Sequence, residues 1–333
     1  MPDDTLQDTR IADLLSSVPP ALALLAGMEL RVFTEIGDSG ATCEEIARRL
    51  ELDPDRLSRL LYALVVVGQL RVEGDQFHNT PEAAALLIEG RPGYLGASFE
   101  LYAKLWKADL NTAASIREQR PLAEHDFRNA GPAEAIAFMR GSMSSARSFG
   151  RALAGRFDLA ACRSVIDIGG GPGGVLLGLQ ESLPDLEATL FDLPQVLEHA
   201  TAVLAEHGLT GTLAIEAGDI TAGPPRGRHD VAILRAVVQV LSRHDAAGAI
   251  LNAAQALTPG GKLFISGRGV LDNDRLGPRN GVFVNLTFLN LYSAGESYTE
   301  DEYRTWMSEA GLTGIERTQL PDGTEILFGN RTA

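Results

Sequence analysis

The 333-residue chain carries 29 Lys and Arg against 44 Asp and Glu, a formal net charge of −15, with 45% hydrophobic and 22% charged residues. That composition suits a globular protein with one large core or two moderate ones, and the acidic balance repels nucleic-acid phosphates and anionic membrane surfaces, so neither is an expected partner. Cys43 and Cys162 are the only cysteines and stand far apart, which argues against a disulfide framework or a zinc ribbon and points to a reducing cytoplasm. The opening MPDDTLQDTR lacks a basic leader region, and the apolar run PPALALLAGM falls short of the ~20 residues a span needs, so no export or membrane anchoring is expected.

Residues 10 to 86 read as a series of short helices. Thr42 followed by Glu45 is a capping-box signature, and Asp53 before Pro54 places proline at the first helical position. RVEGDQFHNT holds a Gly-Asp turn between two short extended pieces, which resembles the wing of a winged helix-turn-helix. The helix before it, DPDRLSRLLYALVVVGQL, sets two arginines against two aspartates and ends almost wholly apolar, so it predicts a buried or dimerising face rather than a DNA contact. Residues 96 to 150 form a second helical stretch with Phe99, Tyr102 and Trp106 at helical spacing, interrupted by the loop-rich SIREQRPLAEHDFRNAGP.

From residue 163 the pattern changes. RSVIDI, EATLFD, TLAIEA, DVAILR and KLFISG are β-rich runs separated by helix-compatible segments, which predicts an α/β domain with a Rossmann-like, doubly wound parallel sheet. TGIERTQLPDGTEILFGN ends the chain as two strands joined by a Pro-Asp-Gly turn.

VIDIGGGPGG is a strand running through Asp167 into Gly169, Gly170, Gly171, Pro172, Gly173 and Gly174, and a helix follows. Glycines there let a ligand approach the backbone, while the helix start offers unpaired amides to an anionic group. Asp192 stands at the end of the next strand, where a carboxylate can take ribose hydroxyls, and Asp219 follows the third strand, where it can accept from an adenine amino group. The spacing alone suits a nicotinamide dinucleotide and S-adenosylmethionine equally.

In order, VIDIGGGPGG, LFDLPQV, AGDI, DVAILRAVV and LTPGGKLFI resemble the S-adenosylmethionine-dependent small-molecule O-methyltransferases of the plant caffeate and bacterial polyketide type. The resemblance covers nearly the whole chain. It implies a winged-helix dimerisation domain, taken as all-helical, over 1–90, a helical linker over 91–155 that contributes to the substrate pocket, and a cofactor-binding catalytic domain over 156–333. It implies a homodimer, and cofactor contacts at Gly169, Asp192, Leu193, Asp219, Ile220 and Arg235; Met143 is carried over across a spacing one residue longer than the family's. Asp167 and Gly171 join this set through the glycine motif.

In that family the general base is the histidine of a Leu-His-Asp-Trp segment after the fourth strand. Laid on LRAVVQVLSRHD, the segment puts Gln239 where the histidine belongs, and an amide can orient a substrate oxygen but cannot take its proton. His244 comes five residues too late, and Ser242 with Asp245 reads as the start of a helix. Among the other histidines, His125 is the better candidate. Tyr292 and Glu296 lie where family members place further catalytic groups, and Tyr102, Trp106, Phe138, Phe288 and Tyr292 are the expected substrate-binding side chains. No two histidines stand at metal-ligand spacing, so no metal is expected. The expected activity is methylation, at oxygen or carbon, of a small aromatic or enolic specialised metabolite by proximity, without a histidine base. The alternative is a homologue that binds the cofactor but catalyses a hydroxylation, decarboxylation or rearrangement.

Overall fold

A computed structural model describes residues 10–91, 93–125, 131–206, 209, 211–267 and 269–332. Residues 126–130 of the loop-rich break therefore lie outside the described residues. The chain divides after Ala103 into two units.

The N-terminal unit begins with α1 (Arg10–Ser16), α2 (Val18–Glu29) and α3 (Val32–Ile36), continues through β1 (Ala41–Thr42), α4 (Cys43–Leu50) and α5 (Pro54–Val66), and then forms β2 (Leu70–Glu73), β3 (Gln76–Asn79) and α6 (Pro81–Leu86). Thr42 accepts from the Glu45 amide while the Glu45 carboxylate accepts from the Thr42 amide, and Asp53 accepts from the Arg56 amide. These N-caps fix the starts of α4 and α5, whose first amides would otherwise lack partners. The unit is not wholly helical, because β1, β3 and β2 pair as a small antiparallel sheet whose β2–β3 hairpin is the expected wing. Leu57, Leu61 and Leu64 of α5 are buried with Phe33, Ile36 and Ile46. Ile11, Leu14, Leu15, Val18 and Leu22 are exposed. Arg10–Glu29 is long and apolar enough, by length and composition, to cross a membrane, so the apolar run is longer than the sequence suggested. A turn at Ser17 divides it into α1 and α2.

The division falls within α7 (Gly96–Asp109), and the C-terminal unit goes on with α8 (Thr112–Glu118) and the long α9 (Pro132–Arg156). There follow β4 (Ser164–Ile168), α10 (Gly174–Gln180), β5 (Glu187–Asp192), α11 (Pro194–Glu206), β6 (Ala214–Ala217) and β7 (His229–Arg235). The unit closes with α12 (Arg243–Gln255), β8 (Leu257–Gly267), β9 (Val270–Leu271), α13 (Arg279–Leu291), β10 (Tyr298–Thr299), α14 (Glu300–Glu309), β11 (Leu312–Gln319) and β12 (Glu325–Arg331).

Seven strands form the main sheet in the order β11-β12-β8-β7-β4-β5-β6. β4 to β8 are parallel, and β12 and β11 add an antiparallel edge. The central strands are buried on both faces, which is why they read as near-continuous apolar runs rather than alternating ones. One apolar layer gathers α9, α10 and α11, and the other gathers α12 and α14. From β4 the chain winds outward through β5 and β6, whereas β7 and β8 lie on β4's other side, so the sheet forks at the carboxyl ends of β4 and β7.

α9 crosses α10 at backbone distance. A side chain on Gly174 would meet Ala146, one on Gly178 would strike the Arg147 carbonyl, and one on Gly150 would strike the Val175 carbonyl. This contact seats α9 directly over the start of α10.

Candidate active site

The glycine loop leaves β4 at the fork. Gly169, Gly171 and Gly173 hold φ values of +70°, +52° and +75°, a left-handed backbone that β-carbons disfavour. The loop is pinned to β5, since the Gly169 amide donates to the Phe191 carbonyl at 2.7 Å and the Gly171 amide donates to Asp192 Oδ2 at 2.8 Å. Asp192 Oδ1 accepts from the Leu193 amide at 2.7 Å, and its carbonyl accepts from the Gly218 amide at 3.0 Å. One carboxylate thus ties the loop to the exit of β5, and its spare lone pairs can still accept hydroxyl donors.

Burial pushes the Asp192 carboxyl up to about 6, against the pull of its two amide donors. Asp167 is wholly buried beneath Gly170, and neither of its oxygens has a hydrogen-bond partner among the described residues. Loss of hydration raises it to about 7; the Arg235 charge pulls it down and the Asp192 charge pushes it up. Asp167 is therefore placed to act through its field and its hold on the loop, not through contact with a ligand surface. Arg235 ends β7, donates to Ser145 Oγ at 3.3 Å and lies over the Phe149 ring, both on α9. Met143, on the same helix, is buried, and its carbonyl lies beside Gly174.

On the third strand's side, Asp219 Oδ1 accepts from the Thr221 amide at 3.0 Å and from its hydroxyl at 2.7 Å. Ile220 is buried in the second apolar layer and Leu193 packs against the first. The structure thus brings Asp167, Gly169, Gly171, Asp192 and Leu193 to the loop and its β5 border. Arg235 and Met143 stand on the α9 side, and Asp219 and Ile220 follow β6.

After β7 the chain turns sharply at Ala236, whose φ of +60° is left-handed. Val237 then sits against Gly169, and the Val238–Val240 turn carries Gln239 two residues further on. Gln239 is 7% exposed, and no side-chain hydrogen bond joins it to another described residue. Its Oε1 lies against the α-carbons of Gly267 and Gly269. β9 and β10 pair in parallel with Val270 opposite Tyr298, which sets Gly269 across from Ser297. Ser297 is fully buried, and its hydroxyl lacks a partner among the described residues. Its amide donates to Asn285 Oδ1 of α13 at 2.8 Å.

The aromatic candidates cluster around the end of α13. The His125 amide donates to the Leu291 carbonyl at 2.9 Å, and the His125 ring stacks on Phe138 with centroids 5.2 Å apart. His125 Nδ1 stands 3.2 Å from Glu134 Oε1. Phe288 and Tyr292 meet at 5.5 Å, and burial raises the Tyr292 hydroxyl well above its ordinary value. Such a phenol stays protonated near neutral pH and can donate, but does not act as a base. Trp106 is half-buried on α7; one turn on, Asp109 takes a hydrogen bond from Thr287, and burial raises its carboxyl. Asp109 and Ser297 both escaped the sequence reading, having no motif around them.

Tyr102, on α7, belongs to the N-terminal unit. Two other candidates stand apart from the loop. Glu296 is drawn outward into ion pairs with Arg243 at 3.1 Å and Arg275 at 3.9 Å, so the structure does not bring it to Gln239. His244 is exposed in the first turn of α12, whose cap is Ser242 with the Asp245 amide, as the sequence predicts. Among the described residues no cluster of ligands could hold a metal.

The O-methyltransferase domain family matches residues 121–313, and its dimerisation domain matches residues 13–89. The chain belongs to the O-methyltransferase family. Among its relatives, the 3-hydroxy-5-methyl-1-naphthoate 3-O-methyltransferase of Streptomyces sahachiroi is 27% identical, over 96% of this chain and 94% of that protein. The tetracenomycin polyketide synthesis 8-O-methyltransferase of Streptomyces glaucescens is 29% identical, over 93% of this chain and 92% of that protein. Aclacinomycin 10-hydroxylase of Streptomyces purpurascens is also 29% identical, over 95% of this chain and 87% of that protein. The same fold occurs in human N-acetylserotonin methyltransferase in complex with S-adenosylmethionine, with a TM-score of 0.85 at 20% identity over 98% of this chain and 99% of that one. The glycine loop of this O-methyltransferase, bare of β-carbons and bordered by Asp192 and Asp219, fits such a cofactor.

Proposed function

We propose that this O-methyltransferase methylates a hydroxyl of a small aromatic metabolite of polyketide type by aligning it, without a histidine at the usual position. The observation that carries the proposal is Gln239, buried in the Val238–Val240 turn after β7 two residues past Val237, which sits against Gly169; the family's base would stand at that sequence position. When bound, S-adenosylmethionine supplies a methyl group activated by a sulfonium. Asp192 takes the ribose hydroxyls and Asp219 the adenine amino group, with Leu193 and Ile220 as apolar flanks. The bare backbone of Gly169 and Gly171 allows close approach, Asp167 contributes negative charge beneath the loop, and Arg235 and Met143 close the α9 side. Trp106, Phe138, Phe288 and Tyr292 wall in a planar substrate.

Displacement at a sulfonium needs a nucleophile in line and little else, so alignment contributes most of the acceleration. Gln239 orients the acceptor oxygen. One observation favours a second account of the proton: His125 with Glu134 is a histidine and a carboxylate at orienting distance beside Phe138. The relatives named for a hydroxynaphthoate and for tetracenomycin polyketide synthesis suggest fused-ring phenols and favour oxygen over carbon as the acceptor. They also leave the non-methylating alternative unfavoured, despite the hydroxylase among them. The enzyme is a cytoplasmic homodimer whose exposed α1–α2 face meets a second copy. Incubation with S-adenosylmethionine and hydroxynaphthoic acids tests the activity: an O-methyl ether by mass spectrometry is expected, and a hydroxylated product or none across the series would sink it.

A further inference from the structure

The Glu296 side chain is drawn away from Gln239, but the backbone just before it is not. The segment from Ser293 to Ser297 joins α13 to β10, and a β-carbon on Gly295 would stand 2.7 Å from the Gln239 carbonyl oxygen and 2.9 Å from the Val240 α-carbon. No side chain fits at such a distance from backbone, so only glycine lets this strap lie against the turn that carries Gln239. The strap is tied at both ends: Ser293 Oγ donates to Glu124 Oε1 at 2.5 Å, and the Ser297 amide donates to Asn285 Oδ1 at 2.8 Å. Between those ties Glu296 meets cations from two other segments, Arg243 at the start of α12 at 3.1 Å and Arg275 in the turn from Asp272 to Gly277 at 3.9 Å. Both arginines also pair with Glu302 of α14, Arg275 at 3.4 Å. The Arg243 guanidinium lies 5.4 Å over the Tyr298 ring, whose hydroxyl donates to the Leu241 carbonyl at 2.7 Å. Two cations and two carboxylates thus join four segments of chain next to the Gln239 turn. A single exposed ion pair fixes little, whereas a network braced on an aromatic ring holds its members in one arrangement.

We propose that Glu296 is a positioning residue for methyl transfer: through Arg243 and Arg275 it clamps the strap, and Gly295 then fixes the backbone of the Gln239 turn, so that Gln239 meets the acceptor oxygen in one orientation. This rests on the reading above in which Gln239 aligns the acceptor. Glu296 exchanges no proton and touches no reacting atom. Its charge holds the strap, and its effect reaches the reaction through alignment, to which an in-line displacement is sensitive. The four charged side chains all stand partly in solvent, so dissolved salt screens them and loosens the clamp. The transfer rate therefore carries an ionic-strength dependence that persists when the cofactor is saturating.

The test measures single-turnover methyl transfer by the full-length enzyme, with saturating S-adenosylmethionine and a hydroxynaphthoic acid acceptor. Glu296→Gln keeps the shape and drops the charge; it should slow transfer on the order of tenfold, with the affinity for S-adenosylhomocysteine unchanged. Arg275→Gln should do the same, and the double variant should be no slower than either single one, as expected of members of one network. In the native enzyme the rate should fall as salt rises from about 0.1 M to about 1 M, where the screening length shrinks from ~10 Å to ~3 Å, and in Glu296→Gln it should stay level. Gly295→Ala, which forces the strap off the Gln239 carbonyl and leaves every charge in place, should slow transfer by a similar factor. A native rate in Glu296→Gln or in Gly295→Ala would overturn the proposal, as would a native enzyme indifferent to salt. Lost S-adenosylhomocysteine affinity in Glu296→Gln would assign the network to folding and overturn it too. All of these outcomes leave the methyl-transfer reading standing, whereas a native enzyme that binds the cofactor and transfers no methyl to any such acceptor would overturn both.

Discussion

On the proposed cofactor assignment, two carboxylates set how S-adenosylmethionine binding responds to pH. Asp167 and Asp192 are raised to about 7 and about 6 by burial, so the folded protein binds protons there that the unfolded chain has already released. Their contribution to stability is complete at acidic pH, below the unfolded carboxyl range, and is lost as pH rises through about 6 and 7. Ionised, the same groups attract a sulfonium. Affinity for S-adenosylmethionine measured by calorimetry should therefore tighten between pH 5 and pH 8 more than affinity for S-adenosylhomocysteine, whose sulfur is neutral. Asp167→Asn should flatten the difference; an unaltered difference would show that Asp167 plays no electrostatic part. Asp192→Asn should weaken binding by about 1.5–3 kcal/mol, the worth of hydrogen bonds to a charged acceptor. These carboxylates were legible because the glycine motif fixes Asp167 by contiguity and Asp192 by the length of one βαβ unit. Ser297 was not. It comes opposite Gly269 only through the β9–β10 pairing, a two-residue contact between segments far apart in sequence, which no local pattern encodes.

At the scale of elements, the crossing of α9 over α10 sets the site's roof. Gly178 meets the Arg147 backbone, whereas Gly155 on the same α9 has nothing within 4 Å of where its β-carbon would go. Gly178→Ala should destabilise by about 1–3 kcal/mol through overpacking, and Gly155→Ala should stabilise by up to about 1 kcal/mol through helix propensity. Thermal unfolding reads the two signs, and equal signs would contradict the described contact. The central strands of the main sheet were legible because strands buried on both faces are apolar throughout, and the capping boxes because side chain and amide lie within one turn. The close helix crossing was invisible, since it depends on where Ala146 and Gly150 meet Gly174 and Gly178 in space.

The whole molecule carries a net charge of −15 and an exposed apolar face on α1 and α2, within the match to the dimerisation domain. Burying Leu14, Leu15 and Leu22 against a second copy is worth about 1.5–3 kcal/mol per side chain. Sedimentation should find a dimer that Leu14→Glu with Leu22→Glu converts to monomer; a monomeric native protein would refute the assignment. The order of motifs made the fold and the family legible from sequence, because a doubly wound sheet must present its ligand-binding loops in chain order. The fate of the proton was not legible, since a glutamine in place of a histidine says what is lost and not what replaces it. The direct measurement is the single-turnover rate of label transfer from methyl-labelled, saturating S-adenosylmethionine to naphthols of graded acidity, as a function of pH. Alignment without a protein base predicts that each profile rises with that naphthol's own ionisation. A break common to every naphthol, and abolished by His125→Gln, would contradict it.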